Sequence, residues 1–110
     1  MTRGDIVYVH NDPGNTIGYE LRGNRPAIIV SNNLCNKHSP IIEVVYTTSS
    51  KTKAKLPTHI HIQTALRGSI ALCEQVHSID RQRIVETLGH CSQYEMDNIN
   101  KALKISLGLE

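Results

Sequence analysis

The sequence predicts a mainly β domain of the α+β class: a small, strongly curved sheet or barrel with short helical turns and one C-terminal α-helix packed on it. Three observations carry this. Short runs of β-branched and aromatic residues recur between breaks rich in Gly, Pro and Asn. Apolar residues take up a helical period only after Ser92. The chain has 110 residues, 39% of them apolar and 20% charged, which suits one compact domain over residues 1–110 with a core of its own.

Asp5-Ile6-Val7-Tyr8-Val9-His10 reads as a first strand. Residues 11–24 carry Asn-Asp-Pro-Gly, Gly18 and Gly23, and so form a long loop, a length usually reserved for function or motion. Pro26–Ser31 is a buried strand that Pro is able to open. Residues 32–40 read as a turn or a short helical piece, and Ile41–Thr48 is the strongest strand signal in the chain. A basic loop, Ser49–Pro57, leads to a short alternating strand, Thr58–Ile62. Ser69–Ile79 is another strand, ended by Asp80, which can cap a helical turn through Arg81-Gln82-Arg83. Ile84–Leu88 fits one more strand. Ser92-Gln93-Tyr94-Glu95 has the form of a capping box, and Met96, Ile99, Leu103 and Leu107 predict one apolar stripe on the helix that follows. Gly108 suits its stop.

The remaining composition narrows the class further. No apolar run approaches the roughly 20 residues that span a bilayer. The N-terminus enters a strand-like run without an apolar signal region. Cys35, Cys73 and Cys91 are odd in number and contain no C-x-x-C, against a disulfide framework or zinc knuckle. The expectation is a cytoplasmic domain with no membrane span. Net charge is only +2, but it is unevenly spread. Residues 1–60 hold seven Lys and Arg against four acids, and residues 61–110 hold five against six. Lys51-Thr52-Lys53-Ala54-Lys55 therefore reads either as a solvated loop or as a phosphate-contacting one.

Six histidines raise the question of metal. His59-x-His61 would share a strand face, yet no nearby Cys or carboxylate completes a zinc set. We therefore expect no metal and no cofactor. Phosphate-binding glycine loops, H-E-x-x-H and G-x-S-x-G are all absent. What stands out is Gly23-Asn24-Arg25-Pro26, where a Gly-rich loop meets a buried strand. Pro26 steers Arg25 away from helical geometry, so the guanidinium fork is either a preformed phosphate ligand or a surface arginine in a turn.

Across nearly its whole length the chain resembles the MazF/PemK (Kid) family of toxin endoribonucleases, most of all the MazF toxins of Gram-positive bacteria. The likeness starts at Arg3-Gly4-Asp5-Ile6-Val7 and continues through Gly23-Asn24-Arg25-Pro26-Ala27-Ile28-Ile29-Val30-Ser31-Asn32. Tyr46-Thr47-Thr48, Ala54-Lys55-Leu56-Pro57-Thr58-His59 and Leu72-Cys73-Glu74-Gln75-Val76-His77-Ser78-Ile79-Asp80 follow in the family's order. Each motif alone is weak; their order and spacing together are specific. Residues 11–22 match poorly.

The resemblance implies an SH3-like barrel of the PemK/Kid/CcdB type. It also implies a homodimer that cuts single-stranded RNA, usually mRNA, without metal or ribosome, and a cognate MazE-like antitoxin that restrains it. It assigns catalysis to Arg25 and Thr48. It assigns RNA contacts to Glu20 and Arg22, to Ser49, Lys51, Lys53 and Lys55, and to Gln75. Such cleavage can use the substrate's own 2′-OH, leaving a 2′,3′-cyclic phosphate and a 5′-OH. Arg25 suits the stabilisation of the phosphorane, and Thr48 can orient the scissile phosphate. Arginine is a poor proton acceptor, so the general base stays open. Two alternatives stand beside this reading: a non-catalytic CcdB-like barrel acting on DNA gyrase, and an RNA-binding module that does not cut.

Overall fold

Six antiparallel strands and two α-helices account for most of the residues that the computed structural model describes, which are 1–11, 24–49, 56–64 and 68–109. The strands are β1 (Asp5–Val9), β2 (Arg25–Ile29), β3 (Ile41–Thr48), β4 (His59–Ile62), β5 (Ser69–Asp80) and β6 (Ile84–His90). They form one sheet in the order β4-β5-β3-β2-β1-β6. The helices are α1 (Asn33–His38), where a turn or short helix was expected, and α2 (Gln93–Leu107). A 3-10 turn, Arg81–Arg83, sits where the Asp80 cap predicted it, and Asp80 accepts from the Gln82 N–H. Among the described residues no helix is long and apolar enough to cross a membrane.

Alternation along each strand divides the apolar residues between the two faces of the sheet. Ile6, Ile28, Val45, Ile62, Ala71 and Cys73 pack with Met96, Ile99 and Ala102 of α2. Val7, Val9, Ala27, Ile29, Ile42, Val44, Tyr46 and Ile79 form a second core on the opposite face, with Ile84 against it. Helix α1 contributes no residue to either core, so the sheet buries its second face by curving round it. Its curvature is helped by irregularities in the β1–β6 and β3–β5 ladders.

Helix α2 begins as its sequence dictates. Ser92 accepts from the Glu95 N–H, and Glu95 accepts from the Ser92 N–H, closing the capping box. At the other end Gly108 takes φ 71°, and its N–H returns to Ile105 O. The predicted stripe holds for Met96 and Ile99, and Leu103 packs at the margin of the core. Leu107 departs from it. It is 57% exposed, and Ile105 in the same last turn is exposed as well, because the buried residues of α2 end at Ala102.

Glu95 does more than cap. It is 4% exposed, and its second oxygen accepts from the N–H groups of Gln63 (2.7 Å) and Thr64 (3.2 Å) beyond β4. Burial opposes its charge, but these N–H donors and that of Ser92 outweigh burial and hold the carboxyl at about 2. Near the other edge, Gly4 has φ +97°, and a Cβ there would meet His90 at 3.1 Å and Met96 at 3.3 Å. His90 is held over Gly4 by a 2.8 Å bond from its Nδ1 to Asp5.

A candidate RNA-cleavage face

The register of the sheet brings the two residues of greatest interest together. Ala27 of β2 stands opposite Tyr46 of β3. Beyond this pair the two strands run on by two residues each, to Arg25 and to Thr48. Thr47 Oγ1 donates to Pro26 O at 3.2 Å and ties these strand ends together. On its other side Arg25 is paired with Val9 of β1. Arg25 alternates with Ala27 and Ile29, and Thr48 with Tyr46 and Val44, so both share the face of the second core. Both are half-buried, and both make interactions within the chain.

Strand β5 adds to the same face. Val44 stands opposite His77 and Ile42 opposite Ile79. Past His77 the β3–β5 ladder is interrupted, and half-buried Gln75 lies in the interrupted stretch. Of the residues predicted from sequence, Arg25 and Thr48 share one face at its polar end. Ser49 follows Thr48 and is exposed. Glu20, Arg22, Lys51, Lys53 and Lys55 lie outside the described residues.

Three further residues occupy this face. The Tyr46 ring meets the His77 ring edge-on, with centroids 5.0 Å apart and planes at 71°. Its hydroxyl donates to Asn11 Oδ1 at 3.0 Å. Burial raises the Tyr46 hydroxyl pKa, although Asn11 and the nearby Arg83 charge oppose that rise. Asn11 is 6% exposed, and among the described residues its Nδ2 has no hydrogen-bond partner. A buried donor without an acceptor costs free energy. Period-two counting back from Thr48 would have found Tyr46, and the strand alternation would have found His77. Nothing local marks Asn11, whose partner is 35 residues away.

Cys73 and Cys91 are not poised as nucleophiles. Burial, with the charges around them, pushes the Cys73 and Cys91 thiols up to about 12. Both belong to the core under α2. The two histidines weighed for metal do not gather ligands: His59 Nε2 bonds Glu74 at 2.8 Å, and among the described residues no three His, Cys, Asp or Glu side chains come together. A cavity of about 380 Å³ lined by Arg3, His90, Cys91, Gln93, Met96 and Asn100 lies on the α2 side, away from Arg25 and Thr48.

Comparison with known proteins gives the chain its family. A family model described as "PemK-like, MazF-like toxin of type II toxin-antitoxin system" matches residues 2–107. Endoribonuclease EndoA of Bacillus subtilis (strain 168) is 37% identical over 113 residues, covering 99% of this chain and 96% of that protein. Endoribonuclease MazF of Staphylococcus saprophyticus is also 37% identical, covering 99% and 92%. Among solved structures, an endoribonuclease in complex with its cognate antitoxin from a mycobacterial species superposes with a TM-score of 0.80 at 27% identity. It covers 100% of this chain and 97% of its own.

Proposed function

The chain belongs to the PemK-like, MazF-like toxins of type II toxin–antitoxin systems, and from that membership we propose that it is a sequence-specific endoribonuclease of single-stranded RNA. The observation that carries the reading is that Arg25 opens β2 and Thr48 closes β3, each two residues beyond the paired Ala27 and Tyr46, at the polar end of the sheet. In this reading the substrate's 2′-OH attacks the adjacent phosphorus. Charge develops on the non-bridging oxygens, where a fixed guanidinium stabilises the transition state more than the ground state. Thr48 Oγ1 donates to one of those oxygens and holds the phosphate in line. As the new bond from O2′ to phosphorus forms, the 2′-OH proton passes to a base, the bond from phosphorus to O5′ breaks, and the 5′-oxygen takes up a proton. The substrate supplies the nucleophile, Arg25 the cation and Thr48 the hydroxyl donor, so the step calls for no metal.

Ser49, next to Thr48, and Gln75 on β5, with Glu20, Arg22, Lys51, Lys53 and Lys55, are the proposed RNA contacts. Phosphate-directed lysines supply affinity, and single-stranded bases supply sequence. The substrate, mRNA, places the activity in the cytoplasm, where its outcome is arrest of translation. We further propose a homodimer and a MazE-like antitoxin as partner. Support for the latter comes from the mycobacterial endoribonuclease, which was solved with its cognate antitoxin.

The deciding experiment incubates the protein with single-stranded RNA in EDTA and identifies the ends produced. Cleavage to 2′,3′-cyclic phosphate and 5′-OH is expected. RNA bound but uncut would reduce the chain to a binding module. Cutting that vanishes with chelator and returns with a divalent cation would overturn the metal-free route.

A further inference from the structure

Strand β5 leaves its partner β3 over one stretch next to the proposed site. Val45 stands opposite Val76, and Thr47 opposite Ala71. Residues 72–75 therefore face Tyr46 alone, four residues against one. Backbone released from a ladder in this way needs another fixture if it is to hold a side chain in place. Strand β4 supplies part of one, since Leu72 stands opposite His59 and the Cys73 N–H donates to Thr58 O at 3.0 Å.

Glu74 supplies the rest. Its Oε1 accepts from Thr58 Oγ1 at 2.8 Å, and its Oε2 accepts from His59 Nε2 at 2.8 Å. The His59 side chain is only 9% exposed, so its ring has little freedom to leave. Burial disfavours the Glu74 carboxylate, but the bonds from Thr58 and His59 outweigh that and hold the group below the usual carboxylate range. One carboxylate thus ties the released stretch of β5 to the first turn of chain after Leu56, whose carbonyl accepts from the His59 N–H. The residue immediately after Glu74 is Gln75.

We propose that Glu74 is a positioning residue of the cleavage site: through Thr58 and His59 it fixes the unladdered part of β5 so that Gln75 meets RNA in one orientation. The proposal rests on the endoribonuclease reading above. A purely structural tie would lower stability and leave each folded molecule as active as before. A positioning tie acts through Gln75, and that dependence is measurable.

The experiment is a double-mutant cycle. Glu74→Gln keeps the shape and one accepting oxygen, and Glu74→Ala removes both. Each is made in the wild-type chain and in Gln75→Ala, and kcat and KM on a single-stranded RNA are measured at a temperature where all variants are folded by circular dichroism. Glu74→Ala is expected to lower kcat/KM on the order of tenfold through misplacement, and Glu74→Gln less. In the Gln75→Ala background neither should lower it further, because the two changes remove one interaction. If the losses multiply instead, or if both Glu74 variants are fully active, Glu74 does not act through Gln75 and the proposal falls while the endoribonuclease reading stands. A wild-type chain that cuts no RNA overturns that reading and the proposal together.

Discussion

The two faces of the sheet are made from alternate residues of the same strands, yet they end differently. The face under α2 is apolar along its length and is sealed by Met96, Ile99 and Ala102. The opposite face is apolar from Ile42 through Val44 and turns polar at Tyr46, His77, Thr48 and Arg25. A helix-covered face can only contribute stability. A face that the sheet encloses by its own curvature has an open rim, and side chains there can meet a ligand without losing the rigidity of the strands below. Stability and chemistry are therefore separable in this molecule, residue by residue.

That separation can be broken at three points, in falling order of effect. Ile99 is fully buried beneath α2, so Ile99→Ala should destabilise the fold by about 3 kcal/mol. Thermal unfolding should show the loss, while the cleavage rate per folded molecule stays at the wild-type value. A fall in rate as well would mean that the two faces are coupled. Arg25→Ala is the reverse case. It should cut kcat/KM on the order of 10²-fold or more, with Thr48→Ala somewhat milder, and with the unfolding midpoint almost unmoved.

The mildest test is titration. The Glu95 carboxyl lies far below its ordinary 4.5, at about 2, so its bonds to Gln63, Thr64 and Ser92 stabilise the fold fully above pH 4.5. That contribution drains away as pH falls from about 4.5 to about 2. Melting curves across this window should steepen their decline in the wild type and flatten in Glu95→Gln. Identical slopes would remove Glu95 as the acid-sensitive link between α2 and the end of β4.

What could be read from the sequence follows the range of the interactions involved. The capping box at Ser92, the Asp80 cap and the strand at residues 41–48 depend on neighbours a few positions away, and they are where the pattern places them. Resemblance identifies Arg25 and Thr48, but the register that brings the ends of their strands side by side is a property of two strands and not of either sequence. Leu107 fits the helical period and is still exposed, since periodicity cannot say where the sheet beneath a helix ends. The stretch of β5 opposite Tyr46, the Asn11–Tyr46 bond and the second oxygen of Glu95 all rest on partners 16 to 35 residues distant or on another strand. No local pattern encodes them.

Strand β1 lies between β2 and β6, and this placement bears on the timing of synthesis. Its second edge is filled by the last strand of the chain, and the Asp5–His90 bond that fastens them spans 85 positions. Val9, which flanks Arg25, has Ile84 on its other side. A nascent chain can pair β1 with β2 early, but it cannot complete the floor beneath Arg25 until residue 90 has cleared the ribosome. An enzyme that destroys messages would thus gain its working form only after the part of its own message that encodes β6 has been translated.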